Sequence, residues 1–234
     1  KAPVFDSRKA TPGCIFLALQ GEVVDGHDYA ADAYRAGAMF SLTTKRIDGP
    51  CIVVEDVIEA LSILATFVRK RLTNLTVIGI TGSQGKTSTK DLMSHMLSAV
   101  GPTVSPAGSF NNDLGLPITL LECDEKTSFC ILEMGARHTG DIARLCSIAQ
   151  PNIGVVLTVG TAHLGEFGSV EAIARTKSEL IQGLNADGIA VLGNYDSYTP
   201  AMASLHSGRT IKFGAGCEIR ATEIEIREGR PHFD

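Results

Sequence analysis

No stretch of this sequence stays apolar for the ~20 residues that a membrane-spanning helix requires. The nearest candidate, LSILATFV at 61–68, is short and flanked by charge. No signal-peptide pattern opens the chain, so the expected location is the cytoplasm, with no membrane span. A basic excess is also missing: the formal net charge is −5, which argues against a nucleic-acid partner. The six cysteines, Cys14, Cys51, Cys123, Cys130, Cys146 and Cys217, form no C-x-x-C pair and no regular spacing. A structural zinc site is therefore not expected, and buried reduced thiols are. Repeats and low-complexity segments are absent too. What remains is ordinary globular composition, 44% hydrophobic and 20% charged, at a length of 234 residues that suits one large domain or two modest ones.

Two blocks stand out. In the first, CIFLAL (14–19), FSLTT (40–44) and CIVV (51–54) have strand character, and 27–38 and 56–72 have helical periodicity. Polar Thr73 and Asn74 make a joint. The second block alternates. Strands are expected at 75–80, 129–133, 153–159 and 188–192, and helices at about 87–100, 140–149 and 170–184. Near-continuous apolar strands separated by helices predict a parallel sheet covered on both faces. In such sheets ligands gather beyond the strand C-termini.

GITGSQGKTSTK (79–90) lies between such a strand and such a helix. That is the setting of a phosphate-binding loop, although Ile80 stands where the usual G-x-x-x-x-G-K-[ST] spacing has its first glycine. Gly82 and Gly85 let backbone N–H groups approach phosphate, Lys86 brings a point charge, and the Thr87 hydroxyl suits Mg²⁺. Glu133 closes the 129–133 strand and is a candidate magnesium ligand; taken alone it would equally be a surface glutamate. His163 follows the 153–159 strand. Three such groups on one rim favour a metal–phosphate site.

VEAIARTKSELIQGL (170–184) holds a further clue. On a helical wheel Val170, Ile173, Ala174, Leu180, Ile181 and Leu184 lie within roughly 60° of Lys177, while Glu171, Arg175, Glu179 and Gln182 lie on the other side. A lone lysine on an apolar stripe ordinarily snorkels to water. The other reading is a functional amine of depressed pKa, which can take up CO₂ as a carbamate and offer oxygen to a hard cation.

TGSQGKTSTK, GSFNNDLGLPITLL (108–121), LEMGARHTGDIA and TVGTAHLGEFGSVEAIARTKSEL resemble the Mur ligases. The likeness covers essentially the whole chain and is most specific between 79 and 180. The off-pattern glycine spacing is that family's own. The resemblance is strongest to an actinobacterial-like form of the type that adds D-alanyl-D-alanine to UDP-N-acetylmuramoyl-tripeptide. It implies an α/β protein: a small N-terminal UDP-MurNAc-peptide-binding domain at 1–73, then an ATP-binding domain at 74–234 with a mostly parallel sheet flanked by helices. That second domain is read as incomplete, a C-terminal domain as absent, and the chain as a fragment inactive alone.

The same resemblance implies roles. FDSRKATPGCIFLALQGEVVDGHDY (5–29) is similar to the family's nucleotide-recognition segment, with Ser7 and Arg8 contacting uridine diphosphate. Thr81, Gly82, Ser83, Gln84, Gly85, Lys86, Thr87, Ser88 and Asn112 would bind ATP, and Asn111 would lie by substrate. Lys86, His163 and Lys177 would be catalytic. Thr87, Glu133, His163 and carbamylated Lys177 would hold Mg²⁺. GNYDSY (193–198) departs from the family's N-A-D-D, and nothing is carried over from it. The implied reaction is ATP-driven amide formation through an acyl phosphate by a monomer, with UDP-MurNAc-tripeptide and D-Ala-D-Ala as substrates. The sibling ligase that adds the third amino acid, a folylpolyglutamate synthetase, a P-loop phosphotransferase or NTPase, and a non-catalytic nucleotide-binding module are the alternatives.

Overall fold

The computed structural model describes residues 1–228 and the backbone of 230–232. Two parallel sheets organise it. The first has three strands, β1 (Ile15–Leu17), β2 (Phe40–Thr43) and β3 (Cys51–Val53), in that order, with α1 (Ala30–Arg35) between the first two. Phe16 and Ala18 pack against Ala30 and Ala33 of α1 on one face. Leu17 and Leu42 pack on the other against α2 (Val57–Arg71). Asp56 starts α2 by accepting hydrogen bonds from the backbone N–H groups of Ile58 and Glu59, an N-cap that the sequence displays openly.

The larger sheet has six parallel strands in the order β5-β6-β4-β7-β8-β9. They are β4 (Thr76–Thr81), β5 (Thr103–Val104), β6 (Phe129–Glu133), β7 (Ile153–Val156), β8 (Ile189–Gly193) and β9 (Arg209–Phe213). The connecting helices are α3 (Lys86–Ser98), α4 (Gly115–Leu120), α5 (Asp141–Ala149), α6 (Leu164–Phe167) and α7 (Val170–Gln182). A hairpin, β10 (Glu225–Arg227) with β11 (Arg230–His232), follows. Ile78, Ile80, Ile131 and Val155 face α3. Val77, Cys130, Leu132 and Val156 face the opposite way, into the main core with α2, α4, α5 and α7. Both faces are covered, which is why the central strands β4, β6 and β7 are apolar along most of their length rather than at alternate positions. The chain crosses from β4 to the β5–β6 side, then returns to β7 on the other side of β4. That reversal opens a crevice at the C-terminal ends of β4, β6 and β7.

Helix α2 serves both sheets. Val57 and Leu61 join the cluster of the first sheet, while Ala65 and the adjoining Leu72 join the core of the second. The buried guanidinium of Arg69 donates to the carbonyl oxygens of Ala149 (2.9 Å), Leu72 (3.1 Å) and Gln150 (3.1 Å) and to Asn152 Oδ1 (3.0 Å).

The strand expected over 153–159 ends at Val156. Beyond it the backbone turns to the phosphate loop, where Ser83 N donates to the carbonyl of Thr158. β5, α4 and β9 were not anticipated. β5 is two residues long, α4 carries Pro117 in its first turn, and β9 is an edge strand with two charged residues. Four of the six cysteines are buried, and all six are free thiols. No helix among the described residues is long and apolar enough to cross a membrane.

Candidate nucleotide and metal site

The crevice is built from the C-terminal end of β4 outward. Thr81 is buried, and its hydroxyl donates to the carbonyl of Met134, binding the end of β4 to the end of β6. Gly82, Ser83, Gln84 and Gly85 then form a loop that delivers the chain into α3. Gly85 caps that helix at φ 84°, a left-handed conformation that a side chain would strain. Gln84, Gly85 and Ser88 are exposed. Lys86 opens α3 and folds back over the loop, donating to the carbonyl of Gly82 (2.8 Å). The Thr87 hydroxyl lies 3.4 Å from that of Ser109.

Glu133 ends β6 beside this loop, registered with Ile80 of β4. It is completely buried, and neither carboxylate oxygen has a hydrogen-bond partner. Buried polar groups are nearly always satisfied, so such a carboxylate is an opening for a cation. Burial lowers the pKa of Lys86, with the charge of Glu133 opposing that shift. Lys177, on α7, is 8% exposed. Among the described residues its ammonium has no hydrogen bond and no ion pair. Burial, then the charge of Lys86, lowers its pKa to about 8. Its stem is buried along α7 and it lines the larger cavity of the crevice.

Two further loops complete the rim. His163 adopts φ 64° after β7, and its Nδ1 lies 3.0 Å from Glu166 Oε2. The loop that carries it is fastened twice. Ser83 Oγ accepts from Gly160 N (2.8 Å), and Asp196, beyond β8, accepts from Thr158 Oγ1 (3.0 Å) and Val159 N (2.9 Å). On the other side, the loop before α4 brings Asn111 and Asn112. Asn112 Oδ1 accepts from Gly115 N, and Asn111 O accepts from Gly135 N. A Cβ on Gly135 would come within 2.9 Å of Asn111 Cγ, so a side chain there would displace the Asn111 amide from its present position.

Some of the residues expected to form the site line two cavities; Thr81, Gly82, Ser83 and Gln84 line neither. One, of about 290 Å³, is lined by Gly85, Lys86, Thr87, Ser88, Asn111 and Glu133 among others. The other, of about 490 Å³, is lined by Lys86, Asn111, Asn112, His163 and Lys177, and by Arg137, His138 and Arg144. Lys86 and Asn111 line both. Among the described residues no three His, Cys, Asp or Glu side chains gather into a metal cluster. A magnesium ion held by one buried carboxylate, a hydroxyl, phosphate oxygens and water needs no such cluster, and the orphaned Glu133 carboxylate fits that ion.

Ser7 and Arg8 line neither cavity. They sit in a turn of the first sheet's unit, where Arg8 donates to Asp6 through Nε (2.9 Å) and Nη2 (2.8 Å). Sequence reasoning missed a second group there. The buried His27 has Nδ1 2.5 Å from Asp25 Oδ1, and Lys45 donates to Asp25 Oδ2 (2.8 Å). It also missed Asp196 and the cations Arg137 and Arg144. Asp196 lies in GNYDSY, and its position just past a strand was the available signal.

The Mur ligase middle domain matches residues 80–233, and the Mur ligase family catalytic domain matches 4–69. The UDP-N-acetylmuramoyl-tripeptide–D-alanyl-D-alanine ligase of Mycobacterium bovis is 49% identical over 98% of this chain and 50% of its own length. The enzyme of that name from Escherichia coli is 41% identical over 97% of this chain and 52% of its own. MurF of Acinetobacter baumannii superposes with a TM-score of 0.88 at 37% identity, covering 99% of this chain and 52% of that one. MurF of Thermotoga maritima, solved in complex with ADP, gives 0.84 at 32%, covering 100% and 55%. The chain thus spans about half the length of the curated relatives it matches. By sequence and by fold, it belongs to the Mur ligase family.

Proposed function

We propose that this chain is the uridine-nucleotide-binding and ATP-binding part of a ligase that joins D-Ala-D-Ala to UDP-MurNAc-tripeptide, in the cytoplasm, as a precursor step of peptidoglycan synthesis. The observation that carries the reading is Glu133, a wholly buried carboxylate without a partner, at the strand end beside a phosphate loop. The relatives named as such ligases supply the substrate class. Residues 1–73 take the UDP-MurNAc end and the rest takes ATP. One copy supplies every residue invoked, which fits a monomer.

The peptide carboxylate attacks the γ-phosphorus of ATP, the bond to the β-γ bridging oxygen breaks, and ADP leaves. The amine of D-Ala-D-Ala then attacks the acyl phosphate, and inorganic phosphate departs as the amide forms. Lys86 and the backbone N–H groups of Gly82–Gly85 neutralise and orient the transferring phosphoryl group. Thr87 and Glu133 would hold Mg²⁺, which when bound supplies Lewis-acid stabilisation of phosphate charge. His163 and Asn111 orient the carboxylate side, and Asn112 shapes the ATP side of the same cavity. Lys177, largely buried and with its pKa drawn down, is suited to carbamylation: its neutral nitrogen bonds to the carbon of CO₂, a proton leaves to solvent, and an anion replaces a cation beside Lys86. Closure of the full-length enzyme over this crevice would exclude water and so limit hydrolysis of the acyl phosphate.

The test is phosphate release by the full-length protein. It should require UDP-MurNAc-tripeptide and D-Ala-D-Ala together and stop when divalent ion is chelated. Release with glutamate or diaminopimelate in place of D-Ala-D-Ala, or release that needs no amine at all, would replace this reading with one of its alternatives.

A further inference from the structure

The most completely buried cation of the nucleotide-binding sheet is not at the phosphate loop but one helical turn past it. Lys90 is 1% exposed. Its ammonium donates to the carbonyl oxygens of Pro106 (2.7 Å) and Gly108 (3.2 Å) and pairs with Asp91 Oδ1 (2.8 Å). Removing an ammonium from water is costly, and here two of the three compensating partners are main-chain carbonyls of a single loop.

That loop, 105–112, has little else to hold it. Among the described residues, no backbone–backbone hydrogen bond involves 105–110. Side-chain hydroxyls make two contacts, Ser94 with Ser105 (2.9 Å) and Thr87 with Ser109 (3.4 Å). Gly108 sits at φ 76°. Yet three residues beyond Gly108 comes Asn111, which lines both cavities and closes against Gly135. We propose that Lys90 is a positioning residue: its buried ammonium grips the carbonyls of Pro106 and Gly108 and so holds Ser109 and Asn111 at the nucleotide site. Lys86 and Lys90 stand on successive turns of α3, so one rigid helix sets both the phosphate-binding lysine and the loop across from it. The effect on ligand rests on the nucleotide-binding reading above; the effect on the loop does not.

The test combines amide hydrogen exchange of this chain with its affinity for a fluorescent ATP analogue and Mg²⁺. In Lys90→Met, amides of 105–112 should exchange about tenfold faster or more, while β4 and β6 keep their protection. Nucleotide affinity should fall by about tenfold. Lys90→Gln, which restores two N–H donors, should recover part of both. Asp91→Asn, altering an exposed partner, should leave both within about twofold. Unchanged loop exchange in Lys90→Met, a loosened loop with unchanged affinity, or loss of protection spread evenly over β4 and β6 would each overturn the proposal. Should Lys90→Met not fold, Lys90→Gln decides by the same readouts, and parent-like values there overturn it. A parent chain that binds no nucleotide would sink the proposed function, while loop exchange would still judge Lys90.

Discussion

Buried charge is handled in opposite ways in two regions around the large sheet. In the packed scaffold it is fully engaged. Arg69 satisfies four oxygens, Lys90 two carbonyls and a carboxylate, and Glu179 accepts from the backbone N–H groups of Gly140 (2.8 Å) and Ala143 (3.0 Å) at the start of α5. At the rim, Glu133 is fully buried with both oxygens unpartnered, and Lys177, 8% exposed, lines the larger cavity without a hydrogen bond or ion pair among the described residues. Scaffold charges stabilise the fold by completing it; on the proposed function, rim charges sit at a standing cost that a ligand or modification would relieve.

Four measurements would break or sharpen that contrast. The largest effect is expected from Glu133→Gln: phosphate release by the full-length protein falls by about 10³-fold or more, while the melting temperature of the chain holds or rises. A drop in melting temperature would mean that Glu133 belongs with the scaffold. Lys177→Met comes next, with about 10²-fold loss of phosphate release and a gain of roughly 1 kcal/mol in stability by thermal melting. Glu179→Ala should do the reverse. Stability falls by roughly 2–4 kcal/mol, read by denaturant titration, and affinity for an ATP analogue stays within about threefold.

The smallest effect belongs to a surface pair in the first sheet's unit. Lys45, then the backbone N–H of His27, holds the carboxyl of Asp25 well below the usual range. A carboxylate depressed on folding stabilises above its unfolded pKa, near 3.9, and loses that contribution as pH falls through its folded value. Asp25→Asn should therefore melt about a degree or two lower at pH 7 than the parent, with the gap closing in acid. A gap that persists at low pH would locate the effect in packing rather than charge.

Much of this was legible in the chain. The β4 strand, the phosphate loop and α3 follow one another in sequence, so the site's centre needed no tertiary information. Lys177 was readable because α7 is long enough to show which neighbours share its face. Glu179 was not. The wheel put it with Glu171, Arg175 and Gln182, and those three are exposed as expected. Glu179 is buried because the start of α5, 36 to 39 residues earlier, lies over that side of α7. Lys90 was hidden by an inversion: α3 buries that lysine while leaving Leu92 and Met96 67% and 68% exposed, against any hydrophobic pattern. Ser7 and Arg8 were chosen by resemblance alone, and neither reaches the two cavities of the phosphate-loop site.

The clamp at Arg69 bears on how the protein can bend. Thr73 and Asn74, polar and short, are the kind of connector at which adjoining units usually swivel. Here the guanidinium just upstream is bolted to Ala149, Gln150 and Asn152, and Asn152 Oδ1 also accepts from Val77 N on the far side of the connector. Swivelling the small sheet against the phosphate loop at that joint would have to break these bonds together.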